Sequence, residues 1–157
     1  MRASRTLFTL ASVALLAACG GPVENATVPA AEPAGASFVN IGDHVVHFSA
    51  QSTDKLPPDA AREYQIVRSK NRAMLNVSVL LAEANVAVTA IVTVKTVNLT
   101  GQLKNVTMRK IEEGEAIYYI GETPVANQET LIFDIRVQPD GVEAASDMRF
   151  KRQFYTD

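Results

Sequence analysis

Period-two patterning of apolar side chains dictates what this chain can fold into. Val77, Val79 and Leu81 alternate with Ser78 and Leu80. Val86, Val88, Ala90, Val92 and Val94 alternate with Ala87, Thr89, Ile91 and Thr93, and Leu131, Phe133, Ile135 and Val137 alternate with Ile132, Asp134, Arg136 and Gln138. An extended backbone turns successive side chains to opposite faces, so this period with β-branched residues marks half-buried antiparallel strands. Further strands are expected over Val39–Ala50, Leu103–Glu112, Ala116–Pro124 and Asp147–Tyr155. Turn chemistry separates them at Asn98-Leu99-Thr100-Gly101, Glu112-Glu113-Gly114 and Pro139-Asp140-Gly141. The Glu-Glu-Gly stretch suits a short hairpin with its glycine in the left-handed region. Pro57 and Pro58 stand where a helix can begin, and Asp59-Ala60-Ala61-Arg62-Glu63 continues it for a turn or two. The expected fold is all-β: an antiparallel immunoglobulin-like β-sandwich of about seven strands with one short helix. A small antiparallel barrel is the alternative.

Residues 38–157 are long enough for one domain around one core. Of the 15 Lys and Arg in the chain only Arg2 and Arg5 precede Phe38, and of the 17 Asp and Glu only Glu24 and Glu32 do, leaving 13 cations against 15 anions. So balanced a surface argues against nucleic acid or an anionic bilayer face as the main partner. Tryptophan is absent and aromatics are few, which disfavours stacking on sugars.

The amino end carries a different message. Arg2 and Arg5 precede the apolar run Leu7–Ala18, which is twelve residues long, well short of the ~20 that cross a bilayer. A basic start, a short apolar middle and a small-residue end are features of an export signal. The run closes on Leu16-Ala17-Ala18-Cys19, which resembles a bacterial lipoprotein signal. An ordinary secretory signal cut near Ala18 is the alternative, but it would expose a lone thiol in an oxidising compartment. The expected organisation is a signal peptide at 1–18, a lipidated flexible tether at 19–37 and the β-sandwich at 38–157. The resemblance implies a diacylglyceryl group on the Cys19 sulfur and an acylated amine. Two signals of this kind make attachment stable where one acyl chain does not. Gly20 rather than aspartate follows the cysteine, which favours the outer membrane. Residues 20–37 are rich in Ala, Pro, Gly and Glu, and as a flexible coil would span about 25 Å.

Catalytic chemistry is hard to find. The two histidines, His44 and His47, lie three apart and so point to opposite faces of a strand, where they cannot clasp one metal. His44 shares a face with Val46 and Phe48, which suits a buried structural role. There is no Gly-x-Ser-x-Gly elbow and no phosphate-cradling glycine loop. Glu112, Glu113 and Glu115 flank an expected turn and read as solvated charge. The triplets starting at Asn76, Asn98 and Asn105 fit a glycosylation sequon by accident of composition. No cofactor and no metal centre is expected. The most suggestive stretch is Arg68–Asn76. If the strand already runs there, Arg68, Lys70 and Arg72 share one face opposite Leu75 and Val77. Carboxylates on neighbouring strands would balance them; the alternative is a docking strip for an anionic ligand or partner, for which the arginine fork is suited.

The phrases Arg68-Ser-Lys-Asn-Arg-Ala-Met-Leu-Asn-Val-Ser-Val79, Asn98-Leu-Thr-Gly101, Glu113-Gly-Glu-Ala-Ile-Tyr-Tyr-Ile120 and Arg152-Gln-Phe-Tyr-Thr-Asp157 resemble a bacterial family, domain of unknown function 4426, from about Gly42 to Asp157. The resemblance implies a small all-β envelope protein of Gram-negative bacteria and supplies no activity. The expectation is a lipid-anchored periplasmic binding or accessory module without catalysis. Its partners would be the membrane, through the lipid on Cys19, and an envelope protein, not nucleic acid. The alternatives are an enzyme of unrecognised type using His47 or Tyr118–Tyr119, and a purely structural envelope component.

Overall fold

The computed structural model describes residues 37–157. Cys19, the expected signal peptide and all but the last residue of the expected tether lie outside them. The elements are β1 (Phe38–Ile41), β2 (His44–Ser52), a 3-10 turn (Thr53–Lys55), α1 (Pro58–Glu63), β3 (Arg72–Leu81), β4 (Ala90–Asn98), β5 (Leu103–Lys104), β6 (Arg109–Glu113), β7 (Ala116–Pro124), β8 (Thr130–Pro139) and β9 (Ser146–Gln153). They form two antiparallel sheets, ordered β1-β2-β3-β7-β6 and β5-β4-β8-β9. The order β2-β3-β7-β6 facing β4-β8-β9 is that of an immunoglobulin constant-type sandwich, with β1 and β5 added at the edges. The expected class is therefore what the chain adopts, with nine strand segments in place of about seven.

The extra segments have local causes. Val39–Ala50 is two strands because Gly42, at φ +58°, turns the chain between Ile41 and His44. Leu103–Glu112 divides because Leu103–Lys104 pairs with β4 in one sheet while Arg109–Glu113 pairs with β7 in the other. The stretch from Val86 is also shared. Its first residues bond back to β3, with Leu81 N–H donating to Val86 O and Val88 N–H to Val79 O, before the chain enters the opposite sheet at Ala90. Glycines close the β6–β7 hairpin at Gly114 (φ +58°) and the β8–β9 turn at Gly141 (φ +83°), as the turn chemistry predicts.

The core lies between the inward faces. Leu75, Val77 and Val79 from β3 meet Leu131, Phe133, Ile135 and Val137 from β8, all fully or nearly fully buried. Phe150 of β9 stacks on Phe133 with ring centroids 5.9 Å apart and tilts against Phe48 of β2 at 5.3 Å. A second, smaller cluster covers the outer face of β3 and β7, where Leu56, Ala61 and Ile66 from the α1 region pack on Met74 and Ile120. Period two consequently fails along Ala73-Met74-Leu75, which is buried on both faces.

The inner face of β7 is relieved at Gly121. A Cβ there would stand 2.4 Å from Val106 Cγ1 and 2.5 Å from Met108 Sδ, because the segment crossing between sheets runs directly over it. Gly121→Ala should therefore cost about 1–3 kcal/mol by overpacking, read as a lower urea midpoint with an unchanged slope. An unchanged midpoint would show that the crossing segment yields freely.

Candidate functional site

A cleft of about 620 Å³ opens between the two sheets, where the late half of β2 faces the late half of β9. Among the described residues β1 covers β2 only from His44 to His47, with Phe48 N–H donating to Ser37 O just beyond, and none of them pairs with Ser49–Ser52 on that side. β9 is the outermost strand of its sheet. Inward parity places Phe48, Ala50 and Ser52 on one wall and Phe150, Arg152 and Phe154 on the other. Lys55 and Lys151 stand at the rim, and among the described residues no carboxylate lines the opening. An apolar floor with a cationic rim favours an amphipathic anion over a neutral or cationic ligand.

The outer face of the same sheet behaves differently. Lys95, Asp134 and Arg149 form one cross-strand row, and Arg136 and Asp147 form part of the next. Asp134 accepts from Arg149 at 2.6 Å and Asp147 from Arg136 at 2.8 Å, so these charges are satisfied within the sheet. Lys55, Lys151 and Arg152 enter no ion pair among the described residues.

The sequence-derived basic strip is not a strand face. β3 starts at Arg72, so Arg68 and Lys70 lie in the preceding loop. That loop is pinned by Thr53, whose buried hydroxyl accepts from Ser69 N–H at 2.9 Å and lies 2.9 Å from the Val67 carbonyl. Arg68 donates to the Asp54 carbonyl, and Arg72 pairs with Glu122 of the neighbouring β7 at 3.3 Å. Two of the three cations thus have structural partners, and all three stand apart from the cleft. Thr53→Val keeps the shape but strands the Ser69 amide. It should cost about 1–3 kcal/mol, with faster hydrogen exchange in the 67–71 loop; unchanged exchange there would refute the clamp.

His44 is buried beside Val46 and bonds Asp43 at 2.7 Å, while His47 is exposed on the opposite face against the Phe38 ring. Tyr119 is buried, and its hydroxyl accepts from Ala90 N–H at 2.7 Å, tying β7 to β4. Tyr118 packs at the α1 cluster. The structure therefore does not bring His47 and Tyr119 together. Among the described residues no three His, Cys, Asp or Glu side chains converge as metal ligands, and no helix is long and apolar enough to cross a membrane.

Two shifted groups mark packing contacts rather than the cleft. The Tyr64 hydroxyl, donating to Glu113, has its pKa pushed up to about 12 by that bond and by burial. For Glu129 burial acts upward, but bonds from Asn98, the Ala126 amide and Lys104 outweigh it and hold the carboxyl below its usual range.

The cleft residues Lys55, Lys151 and Arg152 went unnoticed in the sequence. The signal available was Phe150-Lys-Arg-Gln-Phe-Tyr155, which sets two adjacent cations between aromatics at the end of an expected strand.

These features define a class: immunoglobulin-like antiparallel sandwiches with an edge cleft. The family model described as "Domain of unknown function (DUF4426)" matches residues 38–157, and the chain belongs to that family. It is similar to a DUF4426 family protein from Pseudomonas aeruginosa PAO1 known from a crystal structure. The two share 31% identity and a TM-score of 0.67, over 76% of this chain and 94% of that one. No curated protein matches the chain.

Proposed function

We propose that this protein is a lipid-anchored, non-catalytic binding or accessory module of the Gram-negative envelope, and that it holds an anionic ligand or partner segment in the β2–β9 cleft. The observation that carries this reading is the cleft: an apolar floor and, among the described residues, three cations without ion pairs and no lining carboxylate. The anchor rests on the sequence alone, on the run Leu7–Ala18 closing at Cys19. Lipidation there would confine the domain to the periplasmic face of a membrane, the outer one favoured by Gly20. Confinement raises the effective concentration near partners on the same face. Ser37, the last residue of the expected tether, lines the cleft, which supports a site close to the anchor.

Anilinonaphthalene sulfonate, an aromatic anion that brightens in apolar surroundings, tests the site. The protein should enhance its fluorescence saturably. The double variant Lys55→Gln, Arg152→Gln should weaken binding about tenfold, which corresponds to ~1.4 kcal/mol, at an unchanged melting temperature. Equal binding by the folded double variant would refute the assignment.

A further inference from the structure

We infer that β9 accepts an extended segment of a partner protein as an added strand, and that in this segment apolar residues alternate with carboxylates. This rests on the binding-module reading of the cleft and specifies what fills it.

Edge length comes first. β9 has eight residues, against four for β1, five for β6 and two for β5, so among the described residues it is the longest edge strand of either sheet. Parity comes next. Phe154 N–H donates to Glu129 O at 2.9 Å, continuing the β8–β9 register in which Thr130 faces Gln153. Hydrogen-bonded pairs alternate along an antiparallel ladder. Arg152, Phe150 and Met148 therefore bond towards β8, and Arg149, Lys151 and Gln153 aim their N–H and C=O groups outward. Those outward backbone groups have no partner among the described residues. They form the template that strand addition uses.

Charge then selects the occupant. Lys151 belongs to the outward-facing row, where Arg149 is already engaged by Asp134. A second copy of β9 would set cations against cations, and like charges on facing strands destabilise pairing. Basic edge residues commonly serve only to prevent aggregation. Here, however, the same edge borders a cleft with an aromatic floor. A strand laid on β9 would turn alternate side chains inward over Phe48 and Phe150 and the others outward beside Lys151. Apolar residues suit the first row and carboxylates the second. Arg152 and Lys55 close the far end of the inward row and can take one more carboxylate.

The test uses the full chain purified from membranes and a short peptide of alternating valine and glutamate. A peptide of the same composition with prolines at alternate positions is the control. Binding of the first should slow amide exchange at Arg149, Lys151 and Gln153. Lys151→Pro, which removes an outward donor and leaves the β8 ladder intact, should weaken it at least about tenfold. Should the proline variant fail to fold, Lys151→Glu keeps every backbone bond and should weaken binding comparably. Equal binding of the proline-containing control, or binding without slower exchange at those amides, would overturn strand addition. If the sulfonate probe binds and the alternating peptide does not, this inference falls while the anionic cleft survives. If neither binds, both fall.

Discussion

Replacing Phe133 with alanine should destabilise the domain by about 3–5 kcal/mol, the largest loss expected from any single substitution here. Phe133 is fully buried at the middle of β8, it stacks on Phe150, and its neighbours are strand residues on both sheets. Those neighbours are held by ladder hydrogen bonds and cannot collapse into the space a lost ring leaves, so the cavity term adds to the lost transfer term. For a domain of this length the melting temperature should fall by roughly 10–20 °C. Ile91→Ala is the control: it is a large apolar residue on the adjacent strand, but 63% exposed, and should change stability by no more than ~0.5 kcal/mol. Similar losses from the two variants would contradict the packing.

Glu129→Ala should cost about 2–4 kcal/mol, since truncating one member of a covered ion pair strands the other. The carboxylate sits where the β7–β8 loop meets β4 and β5. Lys104 is 3.0 Å away, with side chains only 15% and 11% exposed for the pair. Glu129 also accepts from Asn98 Nδ2 at 3.0 Å and from the Ala126 amide at 2.9 Å. Removing it takes one acceptor from three donors and leaves the Ala126 amide without the only partner it has among the described residues. The pH dependence follows from its lowered pKa. A carboxyl more acidic folded than unfolded contributes stability that is complete above the unfolded value of about 4.3 and is lost as pH falls through the folded value. Acid unfolding of the native protein should thus draw partly on Glu129. The gap in stability between native and Glu129→Ala protein should be widest at neutral pH and shrink on acidification. A gap that widens in acid would contradict the network.

How much of this was legible depends on what each residue pattern encodes. β7 spans Ala116–Pro124 as expected, although Tyr119, Ile120 and Gly121 are buried in succession, and β8 differs by a residue at each end from its alternating run because it buries one face consistently along its length. Period two gives orientation but not sheet membership. It therefore misses the crossings after Lys104 and before Ala90, where the chain stays extended but changes partner. Arg68, Lys70 and Arg72 mimic a solvated strand face because cations spaced by two look the same in a strand and in a pinned loop. The group that decides between them, Thr53, lies more than a dozen residues upstream. The cleft was illegible for a related reason. Lys55 and Lys151 become neighbours only when the two sheets bring β2 and β9 to the same side. Of the closing phrase Phe154-Tyr155-Thr156-Asp157, Phe154 belongs to the core and Tyr155 stands exposed at the cleft.

The proposed anchor and the proposed cleft can be tested together in living cells. A photo-crosslinking side chain placed at Tyr155, on the cleft, or at Thr93, on the opposite solvated face, can be activated in living cells. We expect a discrete adduct from Tyr155, none from Thr93, and loss of the Tyr155 adduct together with palmitate labelling in Cys19→Ser. An adduct from Thr93 with none from Tyr155, or a Tyr155 adduct undiminished by Cys19→Ser, would contradict the account.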